Sequence, residues 1–263
     1  MQDKLPYGTN EFNPSFTFDS LVTGKHNQLV RNAAHSLATR TDLNYNPLFI
    51  FGSEGLGKTH ILHAVGNELQ KRFPETVVRY ICATDFVKHY IEAIQNDCVR
   101  EFTNGFRNLD VLLLDNIQQI KSGSLIQFEM LNVFNKITDF GKRVVVASET
   151  EPTKLTHIAY TFRARFQHGL MAEIGLPDAD TRMVLLRRKL EEKKITLPED
   201  LITLIAEKCI GSVGQLEGAL VTLHVHYTEQ NGVFTIDDAN RILNLYESDV
   251  EYEDNMSRDC GEG

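Results

Sequence analysis

Short apolar runs alternate with longer stretches of mixed polarity up to about residue 176. Residues 48–51 and 111–114 are apolar throughout, which is typical of strands that are covered on both faces of a sheet. After the first run, apolar residues recur at the spacing of a helix face, at Ile61, Leu62, Ala64, Val65 and Leu69. This alternation of strands and helices predicts an α/β fold with a parallel sheet and crossover helices.

The same patterns give the order of the predicted elements. Strands are predicted at residues 48–51, 77–81, 111–114 and 143–147, with a fifth near 170–174. Helices in this region are predicted at about residues 27–39, 58–72, 86–94, 99–106 and 125–140. Strand signals stop after Pro177, and helices are predicted beyond it at about residues 179–194, 198–209, 213–229 and 236–246.

This change in pattern divides the chain into four parts. Residues 1–15 form a polar arm that we expect to become ordered by contact, and residues 16–176 form the α/β domain. Residues 177–246 form a small all-helical lid, and residues 247–263 form an acidic tail that we expect to be disordered.

A glycine-rich turn joins the first strand to the helix that follows it. Residues 52–59 read G-x-x-x-x-G-K-T, and a strand, a glycine turn and a helix N-terminus together make a phosphate cradle. Glycines let backbone N–H groups approach phosphate oxygens, because no Cβ stands in the way. In this mechanism Lys58 supplies a charge for the β- and γ-phosphates, and the Thr59 hydroxyl ligates Mg²⁺.

The third predicted strand ends in an acid, Asp115, followed by Asn116. An acid at the end of an apolar strand downstream of a phosphate loop is the Walker B residue that organises Mg²⁺. Many ATPases of this shape carry a second acid at the next position, where it orients the attacking water. An asparagine cannot accept a proton as a carboxylate does, so we expect ATP to be hydrolysed slowly.

Composition limits the classes of partner. The chain has 27 basic and 36 acidic residues, a net charge of −9, of which residues 247–263 contribute −6. The remaining −3 excludes a broadly basic nucleic-acid surface. The four cysteines are scattered, no apolar run reaches membrane-spanning length, and the first residues lack a signal core, so we expect a cytoplasmic protein with reduced thiols.

At this point the chain resembles a known family, the AAA+ ATPase domain of bacterial DnaA replication initiators. The resemblance extends over about residues 14–246 and is carried by residues 16–25, 45–50, 55–60, 63–67, 110–118, 165–170 and 216–220. It implies a P-loop NTPase of AAA+ type, in which a parallel sheet flanked by helices is followed by a helical lid. It also implies assembly in which one subunit's arginine reaches the ATP of the next.

The resemblance assigns roles by position. It implies that ATP or ADP is bound by Gly52, Gly55, Leu56, Gly57, Lys58, Thr59 and His60, with Val22 near the adenine. Thr59 and Asp115 match the Mg²⁺ ligands. Three residues match catalytic positions: Asp115, Arg165 as an arginine finger acting in trans, and Glu149 where the family's sensor strand carries an aspartate. Without the resemblance, Glu149 is a helix-start signal and Arg165 could equally form an intramolecular salt bridge.

Several positions depart from the family pattern. Gly214 replaces the lid's sensor arginine, and Thr161 replaces an arginine near the finger. Leu125 and Ile126 stand where the family has a basic and a hydroxyl residue that help to hold single-stranded DNA, whereas Ile91 keeps the apolar character of its position. The family's helix-turn-helix domain, which reads duplex DNA, and its helicase-interacting domain have no counterpart in this sequence.

Two functions follow as hypotheses. The chain is a DnaA-family ATP-binding protein that acts in initiation of chromosomal replication, or in its regulation, by nucleotide-dependent assembly. Alternatively it is an Hda-like regulator of a full-length initiator, or a helicase loader, without DNA reading of its own. The expected partners are further copies of itself or full-length DnaA, and a replicative helicase; we expect single-stranded DNA to bind weakly at most.

Overall fold

The computed structural model describes residues 7–40, 44–121, 124–229 and 234–247. The predicted arm is therefore described from residue 7 onward. The predicted acidic tail lies outside the described residues, except for the backbone of its first residue.

Five strands form one sheet in which every neighbouring pair is parallel. They are β1 Leu48–Phe51, β2 Val78–Cys82, β3 Val111–Asp115, β4 Arg143–Ser148 and β5 Leu170–Glu173. The strand order is β2-β3-β4-β1-β5, so the three central strands are β3, β4 and β1. All five positions of β3 are buried, as its uninterrupted apolar run requires. The predicted α/β fold with a parallel sheet is confirmed, including the fifth strand.

Six helices accompany the sheet, and four follow it. The first six are α1 Gln28–Thr39, α2 Lys58–Arg72, α3 Ala83–Gln95, α4 Val99–Asn104, α5 Ser124–Asp139 and α6 Tyr160–Gln167. The others are α7 Ala179–Lys193, α8 Glu199–Lys208, α9 Val213–Glu229 and α10 Ile236–Glu247. The predicted helices are confirmed, with ends that differ by a few residues at most. Helix α6 and the 3-10 turns at Ile117–Gln119 and Pro152–Lys154 were not predicted. None of the helices in the described residues combines the length and apolar character that crossing a membrane requires.

The described residues divide into two compact units. The first contains residues 7–21, 27–53 and 57–174, and its core includes Phe49, Leu112 and Val146 from the sheet. The second contains residues 22–26, 54–56 and 175–247 and has a separate core between its helices. The sequence placed the two short segments of the second unit in the α/β domain. In the structure, Gly175 N–H donates to the His26 carbonyl, and Val213 N–H donates to the Gly55 carbonyl.

An aromatic cluster in the first unit fixes the orientation of α6. The ring of Phe166 lies 5.0 Å from that of Phe49 on β1 and 5.7 Å from that of Phe134 on α5, and the ring of Phe162 lies 4.7 Å from that of Phe166. Phe162 and Phe166 are fully buried. Burying aromatic side chains of this size contributes strongly to stability. The buried face of α6 therefore fixes the orientation of the whole helix, including the position of Arg165.

The arm covers one edge of the sheet. Thr9 pairs with Tyr80 of the edge strand β2 through two backbone hydrogen bonds of 2.9 and 2.8 Å, and the Tyr7 ring packs edge-on against Phe102 at 4.6 Å. Paired edges are protected from adventitious strand association. The described part of the arm is therefore ordered by contact with the sheet and with α4.

Arg79 is a buried cation behind this edge. Its side chain is 1% exposed, its guanidinium lies 5.5 Å from the centre of the Phe106 ring, and Nη1 and Nη2 have no hydrogen-bond partner in the described chain. Burial lowers the pKa of Arg79 to about 10. An ion buried without a carboxylate partner costs several kcal/mol of desolvation after relaxation.

We therefore expect Arg79→Met to stabilise the protein by at least about 1 kcal/mol, because the methionine fills apolar space without a desolvation cost. Urea unfolding followed by circular dichroism measures the change. Lys71→Met, at an exposed position of α2, is the control and should stay within about 0.5 kcal/mol of wild type. A marked loss of stability in Arg79→Met alone would contradict this account of the buried guanidinium.

Candidate functional site

The glycine-rich turn lies between β1 and α2, as predicted. Its backbone passes through the left-handed region at Gly55, with φ +75°, and at Gly57, with φ +94°, where side chains with a Cβ are strained. Gly57 is the N-cap of α2, and no side chain caps the first turn of this helix. Helix N-termini of this kind donate backbone N–H groups to anions and present the positive end of the helix dipole.

Lys58 is held inside the turn. Its side chain is buried, and Nζ donates to the carbonyl oxygens of Gly52 at 2.6 Å and Ser53 at 2.7 Å. These contacts fix the ammonium group beside the backbone of the turn. In this position the ammonium group of Lys58 can interact, as a point charge, with phosphate oxygens bound at the turn.

Asp115 is the centre of a small hydrogen-bond network at the end of β3. Its Oδ2 accepts from Thr59 Oγ1 at 2.7 Å and from the Tyr80 hydroxyl at 2.9 Å, and its Oδ1 accepts from Asn116 N–H at 2.9 Å. The structure thus brings together the two predicted Mg²⁺ ligands. A hydroxyl and a carboxylate are oxygen donors of the kind that Mg²⁺ prefers, so these residues fit that ion.

Tyr80 was not predicted from the sequence as a site residue. Burial and the neighbouring Asp115 carboxylate raise the pKa of Tyr80, so its hydroxyl stays protonated and donates to the carboxylate. The tyrosine lies on β2, and only the pairing of β2 with β3 places it beside Asp115. Its apolar strand context carries no signal of this role.

Gln118 joins Asn116 to Glu149. Gln118 Nε2 donates to Glu149 Oε1 at 2.8 Å and to Asn116 Oδ1 at 3.3 Å, and Glu149 N–H donates back to Gln118 Oε1 at 3.3 Å. His157 Nε2 donates to the Gln118 carbonyl at 3.0 Å, and this is a further contact that fixes the position of Gln118. No role was predicted for Gln118, although it lies in a segment that carries the resemblance.

The strand order collects these groups at one edge of the sheet. Phe51 of β1 is in register with Ser148 of β4, so Gly52 and Glu149 follow neighbouring strands. Asp115 ends β3 on the other side of β4. Carboxyl ends of parallel strands share one edge, which is where ligands bind in open α/β sheets. In the first unit the predicted residues Gly52, Lys58, Thr59, Asp115 and Glu149 therefore belong to one edge.

Two other residues, His60 and Val22, were also predicted to contact the nucleotide. The His60 ring stacks on Phe16 at 4.7 Å, and its Nε2 lies 2.9 Å from the Thr17 carbonyl oxygen. This histidine thus packs against the segment before α1. Val22 belongs to the second unit. The nucleotide roles of His60 and Val22 stay predictions.

In the second unit, the middle of the glycine-rich turn is bound to the start of α9. Val213 N–H donates to the Gly55 carbonyl at 3.2 Å, and Leu56 is buried. A Cβ on Gly55 would lie 2.8 Å from Ser212 Oγ, so close packing also requires glycine there. A Cβ on Gly214, by contrast, would meet only Ser212 Oγ, at 3.6 Å, so the backbone at Gly214 has room for a larger side chain.

Arg163 and Arg165 on α6 differ in their contacts. Arg163 Nη1 donates to the Thr153 carbonyl at 3.0 Å, and its guanidinium lies 6.0 Å from the Tyr160 ring centre. Arg165 is half-buried and makes no side-chain hydrogen bond or ion pair with the residues that the structure describes. The geometry gives no support to an intramolecular salt bridge of Arg165.

The family model and the similar proteins identified by sequence comparison all point to the same family. Residues 12–173 match the family described as the bacterial DnaA ATPase domain. The chromosomal replication initiator proteins DnaA of Oenococcus oeni and Deinococcus radiodurans are 39% identical over 213 residues and 36% identical over 221 residues. These alignments cover 81% and 84% of this chain and 47% of each relative. The chain thus spans about half the length of the curated relatives it matches.

Solved structures agree with these relatives. Domain III of the Thermotoga maritima replication initiation protein DnaA superimposes with a TM-score of 0.80 at 32% identity, over 90% of this chain and 99% of that chain. A replication initiator DnaA bound to AMPPCP and single-stranded DNA superimposes with a TM-score of 0.74 at 30% identity, over 84% of this chain and 69% of that chain. The AAA domain of FIGL-1, at 15% identity and a TM-score of 0.63 over 90% of this chain and 85% of that chain, shares the fold. The chain belongs to the bacterial DnaA ATPase-domain family of AAA+ proteins.

Proposed function

We propose that this chain binds ATP or ADP with Mg²⁺ and acts, in the cytoplasm, in the initiation of chromosomal replication or its regulation by nucleotide-dependent assembly. The observation that carries the proposal is the hydrogen bond between Thr59 and Asp115 beside the buried Lys58, in a strand–turn–helix context. The DnaA relative of known structure that binds AMPPCP supports a nucleotide ligand.

Each residue has a definite part in this proposal. Backbone N–H groups of the turn at Gly55, Leu56 and Gly57 donate to phosphate oxygens, and Lys58 neutralises part of their charge. Thr59 and Asp115 hold Mg²⁺, which when bound supplies charge neutralisation across the phosphates. Tyr80 keeps the Asp115 carboxylate oriented toward Thr59.

Lys58→Ala tests nucleotide binding. Deleting a charge-assisted contact worth about 1.5–3 kcal/mol should weaken ATP affinity about ten- to a hundredfold. Calorimetry on the full chain with Mg²⁺-ATP measures this loss. Lys71→Ala, which removes an exposed lysine from the far end of the same helix, should leave the affinity unchanged. Equal affinities for wild type and Lys58→Ala would overturn the proposed nucleotide site.

We expect the chain to bind single-stranded DNA only weakly. The DnaA relative described above was solved with single-stranded DNA bound, but here the position of a family basic residue is occupied by Leu125, which is 59% exposed. An apolar side chain contributes no phosphate contact, so any binding should be weak and fall steeply with salt.

A specific surface favours the second candidate function, a regulator that contacts a full-length initiator. Leu125 and Phe128 are each 59% exposed and Tyr160 is 75% exposed, and Leu125 and Phe128 line a groove of about 440 Å³ between α5 and α6. Exposed apolar patches of this kind mark protein-binding sites.

The two candidates differ in what the ATP-bound chain captures. We expect the immobilised chain to retain a full-length DnaA in the presence of ATP, and Phe128→Asp to reduce that retention if the regulator role is correct. Self-association that Phe128→Asp leaves unchanged, with no retention of full-length DnaA, would favour the initiator role instead.

A further inference from the structure

A second groove, which the nucleotide site does not use, lies within the first unit at the amino-terminal edge of the sheet. It has a volume of about 830 Å³ and is lined by the segment before β3, the end of α5 and the residue before β4. Three of its lining residues are cations, namely Arg107, Lys136 and Lys142, and we call it the basic groove. Because the glycine-rich turn follows the carboxyl end of β1, the basic groove lies at the opposite end of the strands.

The floor of the basic groove is apolar and rigid. Phe106, Leu109 and Ile137 line the groove, and none of them is more than 3% exposed. All three belong to the hydrophobic core of the first unit, so close packing holds them in place. A partner side chain that enters the groove therefore meets a preformed apolar surface.

Phe140 extends this apolar surface at the end of α5. It lines the groove and is 79% exposed, the largest exposure among the large apolar residues described for this chain. The turn after it is fixed, because Gly141 N–H donates to the Thr138 carbonyl at 2.9 Å and Lys142 N–H donates to the Ile137 carbonyl at 3.0 Å, with Gly141 at φ +70°. These two bonds and the left-handed glycine form a Schellman motif. The backbone of Phe140 is thus held at a well-defined helix end.

The rim of the basic groove carries uncompensated positive charge. Lys142 Nζ pairs with Asp110 Oδ1 at 2.5 Å, but Arg107 and Lys136 are exposed and form no ion pair with any residue in the described ranges. The whole chain carries a net charge of −9, so these cations are a local exception. Protein-binding sites commonly combine an apolar centre, which holds an anchor side chain, with a polar rim.

The groove selects its partner by charge and by apolar character. Arg107 and Lys136 are complementary to carboxylates, and Phe140 and the floor are complementary to a large apolar side chain. A single-stranded nucleic acid is a poorer match, because its backbone follows a continuous track of positive charge. The lining of this groove instead holds two cations without an ion pair around an apolar floor.

We propose that the basic groove docks an acidic peptide segment of a partner protein. An apolar anchor residue of that segment packs against Phe140 and the floor, and the carboxylates on either side of the anchor pair with Arg107 and Lys136. The ion pairs are solvent-accessible, so docking weakens as salt shortens the range of charge attraction.

A labelled peptide tests this proposal on the full chain. The probe is a fluorescein-labelled peptide in which Leu-Phe stands between two runs of glutamates, and fluorescence anisotropy measures its binding. We expect saturable binding at low salt that weakens as salt is raised. Replacing Leu-Phe by Gly-Ser, or the glutamates by glutamines, should weaken binding at least about tenfold, because each change removes one half of the match.

Variants of the chain place the binding in the groove. Arg107→Glu/Lys136→Glu should weaken binding of the glutamate peptide at least about tenfold and should create binding of the same peptide with lysines in place of glutamates, which an unfolded groove could not do. Phe140→Ser should weaken the glutamate peptide about tenfold and leave the affinity for Mg²⁺-ATP unchanged. Lys71→Glu/Lys88→Glu makes the same change of net charge at exposed positions of α2 and α3 and should leave peptide binding unchanged.

Three results would overturn the proposal. One is wild-type binding of the glutamate peptide that is no tighter than that of the glutamine peptide. A second is binding that survives both Phe140→Ser and Arg107→Glu/Lys136→Glu. The third is binding of oligo(dT) that Arg107→Glu/Lys136→Glu abolishes, without binding of the glutamate peptide, since the groove would then serve a nucleic acid. Should the double variant fail to fold, Phe140→Ser and the peptide series on the wild type decide alone.

Discussion

Asn116→Asp should raise the rate of ATP hydrolysis by about 10²–10⁴-fold, the usual contribution of general base assistance. In the structure, Asn116 Oδ1 accepts from Gln118 Nε2, so an aspartate here would present a carboxylate at the same point. Gln118 holds Glu149 with the same nitrogen, at 2.8 Å. The carboxylate introduced by Asn116→Asp can accept a proton from the attacking water, which the asparagine amide cannot do.

The measurement is single-turnover phosphate release with Mg²⁺-ATP from the wild type and from Asn116→Asp. Asn96→Asp, which adds the same charge at the exposed end of α3, is the control and should not change the rate. A brisk wild-type rate that Asn116→Asp leaves unchanged would contradict the assignment of Asn116 to the position of the missing acid.

Glu149→Gln is the companion change to this prediction. It keeps the shape of the side chain but removes the carboxylate that the wild type retains at this edge, so the slow wild-type rate should fall further. Nucleotide affinity should change little, because Lys58, Thr59 and Asp115 are untouched. If affinity collapsed and the residual rate did not, Glu149 would belong to binding rather than to hydrolysis.

The phosphate loop and the strands could be read from the sequence because their signals are local. A run of apolar residues, a glycine turn with Lys58 and an acid at a strand end each occupy a few consecutive positions, and their chemistry follows from their spacing. The parallel sheet followed from the alternation of strands with helices. Site residues whose role follows from the residues next to them in the sequence could therefore be predicted.

Site residues whose role depends on contacts between distant parts of the sequence were not predicted. Tyr80 reaches Asp115 only because β2 pairs with β3, and Gln118 reaches Glu149 only because β3 lies beside β4. Strand order is not encoded in any local pattern. The attachment of Gly55 to the start of α9 was missed for the same reason, since residues 54–56 and 213 are far apart in the sequence.

Arg165→Ala should abolish ATP-dependent association while leaving the ATP affinity of the isolated chain nearly intact. A guanidinium that completes a neighbour's site donates to the γ-phosphate in a fork that lysine cannot copy. Each charge-assisted hydrogen bond is worth about 1.5–3 kcal/mol, so losing a fork of two such bonds weakens association more than about a hundredfold. Light scattering of the wild type and the variant, with ATP and with ADP, measures the effect.

The matched control lies two residues away on the same helix. Arg163 is already engaged with the Thr153 carbonyl and the Tyr160 ring, so Arg163→Ala should lower the melting temperature and spare association. Arg165→Ala should do the reverse: its guanidinium has no described intramolecular partner, so stability should stay within about 0.5 kcal/mol of wild type.

These opposite outcomes separate an arginine finger from a structural arginine. A salt bridge within the chain predicts that Arg165→Ala melts earlier and associates normally, which the contacts of α6 do not support. Because Phe162 and Phe166 hold α6 from its buried side, truncating Arg165 should not displace the helix. If the wild type shows no ATP-dependent association, either with itself or with a full-length DnaA, the finger role of Arg165 fails, whatever the variant does.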